Sequence, residues 1–149
     1  MPFNLLSSST QELPIIKFIF LLASLPAWAC PELQGTFHCR ANPPFDVSIM
    51  NSLNAGYAAY TLTDPTGSHT LYADGAPHEM EFSQGKGQYA ARCEGNSLIV
   101  EARGPNGEVA RDRYYIERSA LVRIRMNRNS QPQVLSCAPT KGTWRLYQR

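Results

Sequence analysis

The sequence predicts an all-β domain, an antiparallel up-and-down meander of roughly eight to eleven strands that closes into a small barrel of about 8–10 strands. After residue 29, apolar and polar residues alternate with a period of two, as they do in strands with one buried face. Turn-forming residues interrupt this alternation at the short intervals typical of barrels and sandwiches. No helical periodicity of useful length follows residue 29. A meander this long curls and closes, because closure removes exposed strand edges.

The first half of the domain contains five predicted strands. A proline pair, Pro43-Pro44, ends the first strand, because proline cannot join a central ladder. The segment 64–67, Asp-Pro-Thr-Gly, is a strong turn: Asp bonds the backbone ahead, Pro presets φ and Gly closes the turn. Asp74-Gly75 favours a further hairpin. Four of the strands are 33–39, 57–63, 68–73 and 78–82. The remaining strand, second in chain order, has Phe45, Val47 and Ile49 on a single face.

The second half contains six predicted strands, and Pro105-Asn106-Gly107 between two of them is the clearest hairpin turn in the chain. A tight connection at Ser119-Ala120 joins two long strands rich in arginine. The strands are 88–93, 97–103, 108–118, 121–127, 133–137 and 143–148.

Residues 1–29 are predicted to be a signal peptide that is cleaved after Ala29. A lysine, Lys17, precedes an apolar run that ends in Ala27-Trp28-Ala29, a small-x-small cleavage pattern. The run is too short for a membrane anchor, which needs about 20 apolar residues. We therefore expect an exported protein, periplasmic or extracellular, with a single β-barrel domain at 30–149. A lipoprotein attached through Cys30 is the alternative.

Four cysteines in an oxidising compartment predict two disulfides among Cys30, Cys39, Cys93 and Cys137. An extended strand at 33–39 holds Cys30 and Cys39 too far apart to bridge, since bridged Cα atoms lie within about 7 Å. The other two pairings remain open. No Cys-x-x-Cys motif or histidine cluster indicates a zinc site, so we expect no metal and no cofactor.

Short motifs along residues 30–127 resemble those of lipocalin-like (calycin) barrels. They include the opening Cys-Pro-x-Leu-x-Gly-x-aromatic-x-Cys at 30–39, in which Gly35 precedes Phe37, and Asn-Gly-Glu-Val at 106–109. The same motifs are similar to small, uncharacterised exported bacterial proteins of lipocalin-like type. The resemblance implies a lipocalin-like barrel with a ligand cavity. Lipocalins usually have Trp where this chain has Phe37, and pair it with a late basic residue, a role for which Arg145 is the candidate.

Catalytic constellations are absent from the sequence, and we expect no enzyme. His38, His69 and His78 lie on different predicted strands without a neighbouring nucleophile or orienting acid. Glu79 and Glu81 share one strand face, where a solvated pair is expected rather than the carboxylates of a glycosidase.

Charge is distributed unevenly along the chain. Residues 30–102 carry three basic and eight acidic side chains, whereas residues 103–149 carry ten basic and three acidic ones. If the arginine-bearing faces of the two long strands coincide, one patch forms that could bind an anion or a protein partner. Its members would be Arg111, Arg113, Tyr115, Arg123 and Arg125. The alternative is an ordinary solvated outer face.

The function predicted from these features is non-catalytic binding of a small apolar or amphipathic ligand inside the barrel. The candidate lining residues of the cavity are Phe37, Phe45, Phe82 and Tyr114, which could equally be core residues. The alternative is an interaction or inhibitor protein that contacts an envelope or host protein through an outer Arg/Tyr face. We expect a monomer that binds no nucleic acid and does not insert stably into membranes after signal cleavage.

Overall fold

The computed structural model describes residues 30–140, which form ten β-strands joined by short turns. The bounds are β1 Gly35–Cys39, β2 Phe45–Asn54, β3 Tyr57–Asp64, β4 Gly67–Tyr72, β5 Pro77–Phe82, β6 Gly85–Glu94, β7 Ser97–Arg103, β8 Val109–Glu117, β9 Ala120–Asn127 and β10 Gln133–Pro139. The predicted signal peptide, the strand predicted at 143–148 and Arg145 lie outside the described residues.

The ten strands form one antiparallel sheet in the order β4-β3-β2-β1-β10-β9-β8-β7-β6-β5. Consecutive strands pair except β4 and β5, and β1 also pairs with β10, so the sheet curls into a half-barrel whose edges are β4 and β5. This confirms the predicted all-β meander. Residues 30–140 contain no helix, and therefore none that could cross a bilayer.

The inner face of the half-barrel holds the hydrophobic core, because alternate residues of each strand point to the same side. Phe37 pairs with Val47, Tyr60 with Leu71, and Leu98 with Tyr114 across neighbouring strands. All of these side chains are buried. The predicted face of Phe45, Val47 and Ile49 points inward, where Ile49 is fully buried and Phe45 half-buried.

The two ends of the half-barrel differ, since antiparallel strands place alternate connections at opposite ends. One end, here called the plugged end, carries residues 30–34 and the connections 55–56, 73–76, 95–96 and 118–119. The other end, here called the mouth, carries residues 40–44, 65–66, 83–84, 104–108 and 128–132.

Residues 30–34 cross the plugged end and brace strands from both halves of the sheet. Cys30 forms a disulfide with Cys93 on β6, and the Tyr60 hydroxyl on β3 donates a 2.8 Å hydrogen bond to the carbonyl of Pro31. Leu33 between them is completely buried. The segment therefore closes this end with the chain's own residues.

The disulfides are Cys30–Cys93 and Cys39–Cys137, which decides between the two pairings that the sequence left open. Cys39 and Cys137 lie directly opposite each other on β1 and β10, and both are 1% exposed. Because the sulfur of Cys30 is bonded to Cys93, it cannot also carry the thioether of a lipoprotein.

The seam between β4 and β5 is bridged by a side chain. The hydroxyl of Tyr89, on β6, accepts a 3.2 Å hydrogen bond from the amide of Tyr72 and donates a 3.0 Å bond to the carbonyl of Thr70. These are two β4 backbone groups that a neighbouring strand would otherwise satisfy. His78 stacks on the Tyr89 ring and is held by Asp74, 2.9 Å from its Nε2.

Replacing Tyr89 with phenylalanine should lower the free energy of unfolding by about 1–3 kcal/mol, because two backbone groups at the seam lose their partner. Urea unfolding measures this change. Tyr57→Phe is the matched control, since Tyr57 is 49% exposed and should change stability little. An unaltered unfolding midpoint in Tyr89→Phe would show that the hydroxyl does not hold the seam.

Candidate functional site

A polar cluster lies on the inner face where β8 and β9 pair. The register places Asp112 opposite Arg125 and Tyr114 opposite Arg123. These four side chains point to the same side as Leu98 and Val100 on β7, which pair with Tyr114 and Asp112. Two arginines and one aspartate therefore enter a largely apolar interior. We call Asp112, Tyr114, Arg123 and Arg125 the inner cluster.

Asp112 holds both arginines of the inner cluster. Arg125 donates to it twice, with Nε 2.9 Å from Oδ1 and Nη2 2.8 Å from Oδ2, the bidentate geometry of strong guanidinium–carboxylate pairs. Arg123 donates a 3.0 Å hydrogen bond from Nη2 to Oδ2, and its guanidinium lies 5.7 Å from the centre of the Tyr114 ring. One carboxylate thus faces two guanidinium groups.

Electrostatics keep the inner cluster charged. Burial raises the pKa of the Asp112 carboxyl, but the hydrogen bonds from Arg125 and Arg123 outweigh burial and leave this pKa below its ordinary value. Burial acts to lower the pKa of Arg123, but the hydrogen bond and the charge of the Asp112 carboxylate act against it, and the net effect is a raised pKa. Burial raises the pKa of Tyr114 to about 12, so its hydroxyl stays neutral.

The register corrects the prediction that Arg111, Arg113, Arg123 and Arg125 share one patch beside Tyr115. Arg111 and Arg113 pair with Met126 and Ile124 on the outer face, whereas Arg123 and Arg125 face inward. The physical reason is the two-residue turn at residues 118–119, which pairs Glu117 with Ala120 and so sets even-numbered residues of β8 opposite odd-numbered residues of β9.

The outer arginines have partners on the outer face. Arg111 lies 3.7 Å from Glu94 and 3.8 Å from Glu101, and Arg92 contacts the same two carboxylates. Arg113 donates a 2.9 Å hydrogen bond to the hydroxyl of Ser97 and lies over the Tyr115 ring. Arg92 and Arg111 are balanced by Glu94 and Glu101, so this network of ion pairs has no net charge.

A cavity of about 610 Å³ opens at the mouth beside the inner cluster. Its polar lining includes Arg125, Asn127, Arg128 and one carboxylate, that of Glu108, and its apolar lining includes Phe82, Ala102 and Ala110. Of the four aromatic residues proposed to line a cavity, Phe82 does so. Phe37 and Tyr114 are buried in the core, and Phe45 is half-buried against it.

The three histidines do not meet. His38 pairs with Asp46 on the outer face, His69 lies on β4 opposite Leu62, and His78 lies at the seam. Glu79 and Glu81 are exposed together on β5. Within residues 30–140, no three His, Cys, Asp or Glu side chains are grouped closely enough to hold a metal ion.

Comparison with solved structures identifies the fold. Fatty-acid-binding protein 1 of Echinococcus granulosus superposes with a TM-score of 0.57 at 8% identity, covering 72% of this chain and 97% of that protein. The fatty-acid-binding protein of Manduca sexta gives a TM-score of 0.55 at 14% identity, covering 71% and 97%. The chain shares their fold. No family model and no curated protein sequence matches the chain.

Proposed function

We propose that this protein is a non-catalytic binding module for a small amphipathic anion, whose charged end lies against Arg125 and Arg123 and whose apolar part lies in the mouth cavity. The observation that carries the proposal is a pair of arginines on the inner face, next to a cavity, with one carboxylate between them. The fatty-acid-binding proteins that share the fold are named for ligands of this chemical kind.

Unused hydrogen-bonding capacity in the inner cluster supports an anionic ligand. The Nε of Arg123 is buried and has no hydrogen-bond partner within the described part of the chain. A buried donor without a partner is costly, and a carboxylate or phosphate oxygen would satisfy it. Arg125 lines the cavity and is 40% exposed, so it is accessible to a ligand that enters there.

The dimensions of the cavity support a small ligand. Its volume of about 610 Å³ lies within the usual range of small-molecule pockets. Large side chains fill the interior toward the plugged end, where Leu33, Tyr60 and Leu98 are buried. A ligand is therefore accommodated at the mouth, with its apolar part against Phe82, Ala102 and Ala110.

We also propose that the active form is the exported chain that begins at Cys30. The two disulfides support an oxidising compartment.

Isothermal titration calorimetry with decanoate and its neutral analogue decanol tests the proposed ligand class. The unaltered chain should bind decanoate more tightly, and Arg125→Gln should weaken decanoate binding by about tenfold or more, since a hydrogen bond to a charged group contributes about 1.5–3 kcal/mol. Decanol binding should change little.

Arg111→Gln is the matched control, because it removes an arginine of the same hairpin from the outer face. It should leave decanoate affinity unaltered. Equal losses in Arg111→Gln and Arg125→Gln, or equal affinity for decanoate and decanol, would contradict the proposal.

A further inference from the structure

The β2–β3 hairpin carries no charged residue between Asp46 and Asp64, a stretch of seventeen residues in a chain with 17% charged residues. About three charges would be expected in a stretch of that length at this composition. The other hairpin connections at the plugged end each carry charges: Asp74 lies between β4 and β5, Glu94 precedes the β6–β7 turn, and Arg118 lies in the β8–β9 turn.

Three large apolar side chains of this hairpin are exposed. Leu53 and Tyr57 flank its turn and are 75% and 49% exposed, and Met50 on the outer face of β2 is 62% exposed. They represent half of the six exposed large hydrophobic residues in the part of the chain that the structure describes. Next to Leu53 lies a groove of about 250 Å³ that Cys30, Pro31 and Glu32 also line, and Glu32 is the one charged residue among its lining.

From these observations we infer that the tip of the β2–β3 hairpin is a peripheral docking surface for a lipid bilayer, with Leu53 and Tyr57, on the two sides of the turn, inserted at the interface. The inference does not depend on the ligand proposed for the mouth. An apolar tip with a tyrosine suits the boundary between headgroups and acyl chains, where amphipathic aromatic rings are favoured.

Chain connectivity supports a lipid surface as the occupant. Ala29, the last residue of the apolar run 18–29, is joined to Cys30, and Cys30 lines the groove next to Leu53. Before the proposed cleavage after Ala29, an apolar leader held in a membrane would bring the plugged end, and the hairpin tip with it, to the bilayer surface, where the tip is then placed to dock. The mouth and its arginines would then face away from the bilayer.

The hairpin is poorly suited to a second copy of the chain or to strand addition. β2 lies between β1 and β3, and β3 between β2 and β4, so neither strand has a free edge. The three exposed side chains present roughly 280–470 Å², if a fully exposed side chain of this size offers about 150–250 Å². A standard protein interface needs about 800 Å² from each partner.

Flotation with phosphatidylcholine vesicles tests the inference, using the chain 30–149 with its disulfides formed. The unaltered chain should float with the vesicles, and the double variant Leu53→Ser, Tyr57→Ser should bind about a hundredfold less, because each inserted side chain contributes about a factor of ten. Both positions are exposed, so the variant should keep its unfolding midpoint.

Val109→Ser, Val134→Ser is the matched control, since it removes two exposed apolar side chains away from the hairpin. It should float like the unaltered chain. The inference would be overturned if the unaltered chain failed to float, or if both double variants lost binding equally. It would also be overturned if light scattering showed a dimer that the Leu53→Ser, Tyr57→Ser variant abolishes. Binding that requires anionic lipid and is lost at high salt would also contradict it, because the hairpin has no charge.

Discussion

Replacing Asp112 with asparagine should lower the free energy of unfolding by about 2–4 kcal/mol. Asp112 is 6% exposed, and its carboxylate accepts hydrogen bonds from both Arg123 and Arg125. Removing one partner of a buried ion pair typically costs about 3–5 kcal/mol, because an uncompensated charge stays behind. The expected loss is smaller here, since the Arg125 side chain is 40% exposed and keeps contact with water.

The pH dependence of this loss follows from the pKa of Asp112. That pKa is lower in the folded than in the unfolded chain, so the cluster stabilises the fold above the ordinary carboxyl pKa. The stabilisation is lost as the pH falls through the folded-state pKa. Urea unfolding of the unaltered chain and of Asp112→Asn should therefore show the full difference in free energy of unfolding at neutral pH. This difference should become smaller as the pH is lowered into the acid range.

Asp46→Asn is the control, because Asp46 pairs with His38 at an exposed position on the outer face. Its unfolding midpoint at neutral pH should stay close to that of the unaltered chain. A loss in Asp112→Asn that is no larger than the loss in Asp46→Asn would contradict the proposed role of the inner cluster.

Removing the Cys39–Cys137 disulfide by substituting both residues with alanine should lower the free energy of unfolding by about 3–5 kcal/mol. The bridge spans 98 residues in sequence, and cross-links over about 100 residues restrict the unfolded chain most strongly. Both cysteines are 1% exposed, so the lost sulfur atoms also leave a cavity in the core. Chemical unfolding without reductant measures the change.

The two disulfides should differ in their response to dithiothreitol under native conditions. Cys30 and Cys93 are partly exposed, and Cys30 lines the groove at the plugged end, so a thiol can reach this bridge. The buried Cys39–Cys137 bridge should be reduced only when the chain unfolds. Alkylation followed by peptide mass spectrometry reports the order, and earlier modification of Cys39 than of Cys30 would contradict this account of burial.

The alternation of the strands was sufficient to predict the meander, because each strand has one buried and one exposed face. The positions of turn-forming residues predicted most of the connections between strands, such as the one at residues 105–107 between β7 and β8. The first strand begins at Gly35 rather than at Leu33, because Leu33 belongs to the segment that closes the plugged end. That segment is positioned by a disulfide and a tyrosine hydroxyl, contacts between residues distant in sequence that no local pattern reveals.

The inward position of Arg123 and Arg125 could have been predicted. A two-residue turn near residues 118–120 pairs even-numbered residues of one strand with odd-numbered residues of the other, whichever two residues form the turn. Asp112 and Tyr114 must then share a face with Arg123 and Arg125, which rules out a patch of four arginines. The seam at β4 and β5 could not be predicted, because it depends on how far the sheet curls.

Nuclear magnetic resonance of the arginine side chains tests the central claim most directly. The Nε–Hε signals of Arg111, Arg113, Arg123 and Arg125, assigned by single Arg→Lys variants, are followed while decanoate is added. We predict saturable shifts at Arg123 and Arg125, with the outer pair unchanged. Shifts confined to Arg111 and Arg113, or no shift at any of the four, would contradict a ligand site at the inner cluster.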